Sequence, residues 1–338
     1  MFNSDYKTQS QLENLRFFAT VVASNLGIRR CAPDRAKTWP SFMTDDGTPI
    51  ELSWDWGTGN CSPVVRYSIE PVGLGAGTTQ DPHNQCAARS FHELLLSSLP
   101  GTRLEWYGHF TQHLEGPFSG SGLRDDRLSH IFYAFDLVGS EVTSKAYFFP
   151  GHKARSSNRT NLDVIREAIL AAPFCSADRL AAFYVFCDWA SQPGNATLEL
   201  GMLAIDLLDP FESRLKIYYR LRETSRESLS AALTLGGRIR TPELDRGLQD
   251  LEHLWALLFG FDREPHTPFD HVDHRTAGIL YNVEFKLGSK LPITKVYLPV
   301  HHYGRNDAHI MRALLTYLRK RQRDAYASQY VQTMHSLL

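Results

Sequence analysis

The stretch SRLKIYYR (213–220) gives the clearest indication of the fold, because side chains with a charge or a hydroxyl group alternate with apolar ones along one predicted strand. Side chains two residues apart on a strand point to the same face. Arg214, Lys216 and Tyr218 therefore share one face, and Leu215 and Ile217 share the other. The pattern predicts an antiparallel strand that buries its apolar face and collects cations and a tyrosine on its opposite face.

The same arrangement recurs in three other predicted strands. Their cations, Arg66, Lys145 and Lys295, fall with Lys216 into a series with intervals of 79, 71 and 79 residues. Three of the four are followed two positions later by a tyrosine, giving Tyr147, Tyr218 and Tyr297. A period in the seventies predicts a repeated unit of helices and paired strands.

Each of these strands is the second of a pair, and helical patterns fill the intervals. The predicted pairs are 50–56 with 64–71, 129–138 with 144–150, 197–208 with 214–221, and 279–287 with 293–300. Apolar spacing and end signals predict helices near 10–27, 85–99, 162–172, 177–190, 225–236, 241–260 and 307–338. Composition does not shift along the chain, so the sequence predicts an α+β protein with one domain over 1–338.

Composition argues against several classes of protein. Lys and Arg number 36 against 37 Asp and Glu, for a formal net charge of -1, which disfavours a nucleic-acid-binding protein. The longest apolar runs, of about eight residues, are far shorter than the roughly 18 of a membrane-spanning helix. Five cysteines without a CxxC pair and a polar N-terminus indicate reduced thiols in a cytoplasmic protein. The oligomeric state stays open, a homodimer included.

The cationic strand faces allow two interpretations. In an open antiparallel sheet they would simply face solvent. In a closed barrel with helices outside they would line the lumen, and the recurrence of a cation beside a tyrosine favours this arrangement. Because unpaired buried charges are costly, a cationic lumen calls for an anion such as phosphate or diphosphate.

Five ordered segments carry a resemblance to a known family: TPIELSW (48–54), VVRYSIEPVG (64–73), KAYFFPG (145–151), SRLKIYYR (213–220) and ITKVYLPVHHYGRND (293–307). In them the sequence resembles the dimethylallyltryptophan synthase family of soluble aromatic prenyltransferases. The resemblance implies the ABBA fold, in which αββα repeats form an antiparallel β-barrel with helices outside and the active site in the lumen. It also implies transfer of a prenyl group, usually dimethylallyl, from its diphosphate to an aromatic carbon of an indole.

The resemblance assigns roles residue by residue. Glu51 matches the family's acidic residue that accepts the indole N–H. Five cations match its diphosphate-binding residues, namely Arg66, Lys145, Arg214, Lys216 and Lys295. Three tyrosines match its shield around the allylic cation, namely Tyr147, Tyr218 and Tyr297. The implied partners are a prenyl diphosphate and an aromatic small molecule, with no cofactor and no metal, and the sequence has no DDxxD or NDxxD motif for magnesium.

Two departures from the family pattern limit the resemblance. No lysine occurs between Lys37 and Lys145, although members that prenylate C4 of tryptophan use one before KAYFFP to remove the ring proton. His130 or a water molecule is a candidate substitute. A fifth strand pair, which the family's barrel has, would fall beyond Leu338, so this chain is expected to lack it. Three arrangements then stay open: a barrel that closes with fewer strands, one that remains open on one side, and one that another chain completes. A phenolic or polyketide acceptor, or a non-catalytic barrel that binds a phosphorylated or prenylated ligand, remain alternatives.

Overall fold

The computed structural model describes residues 6–28, 39–57, 61–116, 129–260 and 264–337. The strands in these ranges are β1 (Ile50–Asp55), β2 (Val64–Ile69), β3 (Ile131–Val138), β4 (Glu141–Phe148), β5 (Glu199–Asp206), β6 (Leu215–Leu221), β7 (Ile279–Phe285) and β8 (Ile293–Tyr297). The α-helices are α1 (Thr8–Phe17), α2 (Gln85–Ser98), α3 (Glu105–Leu114), α4 (Gly151–Ser156), α5 (Asn161–Leu170), α6 (Ala181–Ala190), α7 (Arg226–Leu233), α8 (Pro242–Phe259), α9 (Val300–Tyr303), α10 (Asp307–Lys320) and α11 (Asp324–Leu337).

The chain divides into two compact units. One consists of Asn3–Ser176 and Gly201–Leu215, and the other of Ala177–Leu200 and Lys216–Leu338. The assignment of one domain to residues 1–338 stays a prediction. Within the described ranges, every helix is too short or too polar to cross a membrane.

The first unit holds an antiparallel sheet whose strands follow chain order from β1 to β5. Gly139, with a φ of 62°, permits the two-residue turn between β3 and β4. Because paired strands keep their side-chain alternation in phase, Arg66, Asp136 and Lys145 fall on one face of the sheet. We call this the charged face.

The other face of this sheet carries the core of the first unit. Tyr67 of β2 and Phe17 of α1 both pack against Phe135 of β3, with ring centroids 5.1 and 5.4 Å apart. Tyr133 packs against Phe91 of α2 at 4.8 Å. Such aromatic packing on one face of the strands leaves the opposite face to polar groups.

The second unit repeats this division. Tyr219 of β6 stacks on Tyr281 of β7 at 5.3 Å and packs against Trp189 of α6 at 5.4 Å, so these side chains belong to its core. Strands β7 and β8 pair antiparallel, with Leu280 opposite Tyr297 and Asn282 opposite Lys295. The predicted division into an apolar face and a face of cations and tyrosines is therefore found in both units.

All four predicted strand pairs form within a few residues of their expected limits. Helix α8 also begins and ends as its sequence predicts, because the Thr241 side chain accepts from the backbone N–H of Leu244 and Gly260 follows the last turn with a φ of 104°. Helix α1 ends at Phe17 and is continued to Asn25 by one wider and one tighter helical turn.

The predictions missed three helices and one break. The helices α3, α4 and α9 were not anticipated, and the second strand of the fourth pair ends at Tyr297 rather than continuing to Val300. Pro299, which lacks a backbone N–H, comes just beyond that end. The stretch 307–338, expected to be mostly helical, contains α10 and α11, with a break between them where Gln322 has a φ of 58°.

Candidate functional site

Two of the predicted diphosphate-binding cations converge on one buried carboxylate in the first unit. Arg66 lies directly opposite Asp136 in the register of β2 and β3, and its Nε is 3.1 Å from Oδ1 of that residue. Lys145 on β4 donates to both carboxylate oxygens of Asp136, with Nζ 2.5 Å from each. The single negative charge of Asp136 is therefore shared between Arg66 and Lys145.

Further carboxylates extend this arrangement in both directions. On β1, Asp55 approaches Arg66, with Oδ2 2.7 Å from Nη2. On β5, Asp206 lies directly opposite Lys145 and accepts from Nε of Arg214 at 2.7 Å. Six residues of alternating sign thus cross the sheet, and we call them the charge ladder: Asp55, Arg66, Asp136, Lys145, Asp206 and Arg214.

The charge ladder corrects one step of the sequence argument. Unpaired cations on a buried face would require an anion, but Arg66, Lys145 and Arg214 each contact a carboxylate. Lys145 is buried and the two arginines are half-buried, so these contacts compensate the desolvation of all three cations without a ligand. The sequence analysis overlooked Asp136 and Asp206, although an aspartate inside an apolar strand is itself a signal that a cation lies nearby.

Burial shapes the electrostatics of Lys145. Its side chain is only 9% exposed, and desolvation lowers the pKa of its ammonium group while Asp136 acts in the opposite direction. Arg66 adds a like charge that favours the neutral form. The ammonium therefore depends on its carboxylate partner to stay charged.

The second unit brings together a cation and two of the predicted tyrosines. Lys295 on β8 donates to Oε2 of Glu284 on β7 at 3.0 Å. Beside it, the hydroxyl of Tyr297 accepts from Nδ2 of Asn282 at 3.2 Å, and its ring centroid is 6.0 Å from that of Tyr218. The predicted residue Lys216 is buried and lies two residues before Tyr218 on β6.

Glu51 lies on the charged face of β1, directly opposite Ser68 of β2. Ser68 and Arg66 are two residues apart on β2 and point to the same face of the sheet. Each pair of side chains that face each other across the strands forms one row, so the row of Glu51 and Ser68 is next to the row that contains Arg66 of the charge ladder. Among the described residues, no cation or hydrogen-bond donor contacts its carboxylate. The side chain is exposed, yet desolvation by nearby protein raises its pKa.

Tyr147 shares the charged face with Lys145, since the two are two residues apart on β4. In the register it lies between Phe132 of β3 and Ala204 of β5. Across β3 the charged face therefore presents Phe132, Ala134 and Asp136. On this face of β3 there is no lysine that could remove a ring proton. The side chains there are apolar, except for Asp136, whose carboxylate already contacts two cations.

His130, a candidate proton acceptor, lies elsewhere. It precedes β3 and lines a cavity that is also walled by Tyr107 of α3 and Phe148, which belong to the side of the sheet covered by helices. Its ring stacks on that of His152 at 5.6 Å. Burial lowers the pKa of its imidazole to about 4. Its position therefore does not support the role of proton acceptor on the charged face.

No three His, Cys, Asp or Glu residues come together as a potential metal site in the ranges that the structure describes. The charged face carries cations with carboxylate partners, Tyr147 and Glu51. This set can bind an anion, contact a carbocation through aromatic rings and accept a hydrogen bond from an N–H or O–H group.

The comparisons with known proteins agree with this chemistry. A family profile described as tryptophan dimethylallyltransferase matches residues 1–333. A 4-O-dimethylallyl-L-tyrosine synthase from Claviceps purpurea (strain 20.1) is 38% identical over 94% of this chain and 72% of its own length. A 7-dimethylallyltryptophan synthase from Aspergillus fumigatus is 35% identical over 82% of this chain and 61% of its own length.

Solved structures extend the likeness to the fold. AnaPT from Neosartorya fischeri superposes with a TM-score of 0.85 at 27% identity, covering 98% of this chain and 80% of its own. NotF in complex with brevianamide F and DMSPP superposes with a TM-score of 0.82 at 26% identity, covering 99% of this chain and 81% of its own. These likenesses confirm the α+β fold of the ABBA type. The described residues hold four of its strand pairs.

Proposed function

The chain is an aromatic prenyltransferase that belongs to the tryptophan dimethylallyltransferase family, and we propose that it transfers a dimethylallyl group from its diphosphate to a carbon of an indole acceptor. The acceptor is tryptophan, a tryptophan-containing peptide or an indole alkaloid. We propose further that residues 1–338 act as one catalytic domain and that the enzyme is cytoplasmic.

The observation that carries the indole proposal is the position of Glu51. It is a carboxylate without a partner among the described residues, one side-chain row from a set of cations on the same face. A carboxylate in this place can accept the indole N–H while the cations hold the diphosphate of the donor. The N–H becomes more acidic as the ring gains positive charge, so the interaction strengthens towards the transition state.

The cations have a separate task in this proposal. Breaking the carbon–oxygen bond leaves the charge of the departing diphosphate, which Arg66, Lys145, Arg214, Lys216 and Lys295 stabilise. The tyrosine rings of Tyr147, Tyr218 and Tyr297 stabilise the allylic cation and exclude water that would quench it. The arene then attacks the cation, and the ring proton passes to water or to the released diphosphate, which restores aromaticity.

A phenolic acceptor is the second candidate, and two observations favour it. The relative from Claviceps purpurea is named for transfer to the phenolic oxygen of tyrosine. In addition, Phe132 and Ala134 leave no basic residue on the charged face of β3 to remove a ring proton. Attack by a phenolic oxygen releases only the hydroxyl proton, which Glu51 could accept. Membership of an enzyme family argues against a non-catalytic binding barrel.

The experiment is an incubation of the purified chain with dimethylallyl diphosphate and EDTA. Tryptophan, a tryptophan-containing dipeptide, tyrosine and simple phenols are offered separately, and products are identified by mass spectrometry and nuclear magnetic resonance. Gain of one dimethylallyl unit on an indole carbon supports the first candidate, and gain on a phenolic oxygen supports the second. No product with any acceptor, while the donor remains intact, contradicts both.

A further inference from the structure

Asp136 is a carboxylate of the charge ladder that contacts two cations, Arg66 and Lys145. It is 8% exposed. Its strand, β3, lies between β2, which carries Arg66, and β4, which carries Lys145. We infer that Asp136 is a positioning residue for the donor: it holds Lys145 in its charged form and orients Lys145 and Arg66 for the diphosphate. This inference rests on the proposed function, because it takes these cations to bind the donor.

The need for such a residue follows from the surroundings of Lys145. Lys145 is buried, so its ammonium group loses much of its hydration, which favours the neutral amine. A neutral amine would offer the diphosphate no charge. Some group must therefore keep the proton on Lys145 before the donor arrives.

The groups that face Lys145 from neighbouring elements leave Asp136 as that partner. On β2 the nearest charge is Arg66, which repels the ammonium. On β5 it is Asp206, which also favours the charged ammonium, although its carboxylate is engaged at 2.7 Å by Nε of Arg214. On β3 it is Asp136, with both oxygens 2.5 Å from Nζ. The helices of the first unit pack on the opposite face, against residues such as Phe135 and Tyr133.

The geometry also explains why the pair does not block the donor. A lysine ammonium has three N–H donors and an arginine guanidinium has five, so a single carboxylate leaves both cations with further donor capacity. Fixing these long side chains before binding reduces the conformational entropy that the complex must lose. A pair that served only to stabilise the sheet would predict no effect of Asp136 on how diphosphate affinity varies with pH.

The test measures the affinity of the full chain for inorganic pyrophosphate by isothermal titration calorimetry, with EDTA present, from about pH 6.5 to about pH 9. The variant Lys145→Arg serves as the reference, because arginine stays protonated over this range and pyrophosphate's own titration cancels in the ratio. We expect the ratio of wild-type to Lys145→Arg affinity to stay constant with pH. In Asp136→Asn we expect affinity relative to the same reference to fall about tenfold per pH unit once Lys145 loses its proton.

Two matched variants separate this role from a general loss of charge. Asp55→Asn removes a carboxylate from the same ladder but contacts Arg66 and not Lys145, so its pH profile should follow the wild type. Asp136→Glu keeps the negative charge and should restore the flat profile. The inference is wrong if Asp136→Asn has the wild-type profile, or if Asp136→Glu behaves like the asparagine variant.

The wild-type ratio can overturn the inference even if Asp136→Asn does not fold. A ratio that falls with rising pH would mean that Lys145 loses its proton despite Asp136, which overturns the inference. If the wild type binds no pyrophosphate at any pH, the proposed donor site itself is wrong. These two failures are therefore distinguishable.

Discussion

Replacing Glu51 by glutamine tests the acceptor side of the proposed mechanism. The amide keeps the size of the side chain and one neutral acceptor oxygen but loses the charge. A hydrogen bond to a charged group contributes about 1.5–3 kcal/mol, against about 0.5–1.5 kcal/mol for a neutral one. Since no described residue competes for the Glu51 carboxylate, the whole of that difference is available to the acceptor.

The expected loss is larger in the turnover step than in binding. The neutral-to-charged difference of about 1–1.5 kcal/mol corresponds to roughly a tenfold weaker ground-state contact. Because positive charge develops on the indole as it attacks, loss of the carboxylate should lower kcat by about a hundredfold or more. Pyrophosphate affinity should change little, since Glu51 does not contact the cations of the charge ladder.

Steady-state kinetics with an indole acceptor and calorimetry with pyrophosphate measure the two effects separately. Glu141→Gln is the matched control, because Glu141 is an exposed glutamate at the start of β4, away from the row of Glu51. An equal loss of kcat and of pyrophosphate affinity in Glu51→Gln would refute the assigned role. So would an unchanged kcat with every accepted indole.

Four further outcomes are expected. On acidification, activity should be lost as the pH falls through the pKa of Glu51. Because desolvation raises that pKa, the acid limb of the kcat–pH profile should lie at higher pH than for an ordinary glutamate. Glu51→Gln should lack this limb. Lys216→Ala should weaken pyrophosphate binding by about tenfold or more in calorimetry, and an unchanged affinity with an unchanged Tm would remove Lys216 from the donor site. Prenyl transfer should persist in EDTA at an unchanged rate, and a strict need for magnesium would contradict the role of the cations. Burial raises the pKa of Glu70 in the folded protein. The free energy of unfolding of the wild type should therefore fall as the pH rises from the ordinary glutamate range through this raised pKa. Urea unfolding of Glu70→Gln should lack this fall.

Local patterns account for the success of the strand predictions. The alternation in SRLKIYYR and in the strands that carry Lys145 and Lys295 is a property of neighbouring residues, so it shows without knowledge of the fold. The missed helix α3 illustrates the limit of this reasoning. Its segment, EWYGHFTQHL, is rich in aromatic residues and has no capping side chain at its start, and it is fixed by contacts such as the hydrogen bond from Trp106 Nε1 to the carbonyl oxygen of Pro173 at 2.9 Å.

The candidate site divides in the same way. The sequence alone determined which strands carry cations and tyrosines. It also determined that the cation and the tyrosine of one strand share a face, because side-chain direction alternates with a period of two. Only the tertiary structure decided the partners of those cations. Arg66 and Asp136 are distant in the chain and meet through strand register, which no local pattern specifies. That register turned a set of apparently unpaired cations into an alternating ladder, and it left Glu51 as the carboxylate beside it that no described residue engages.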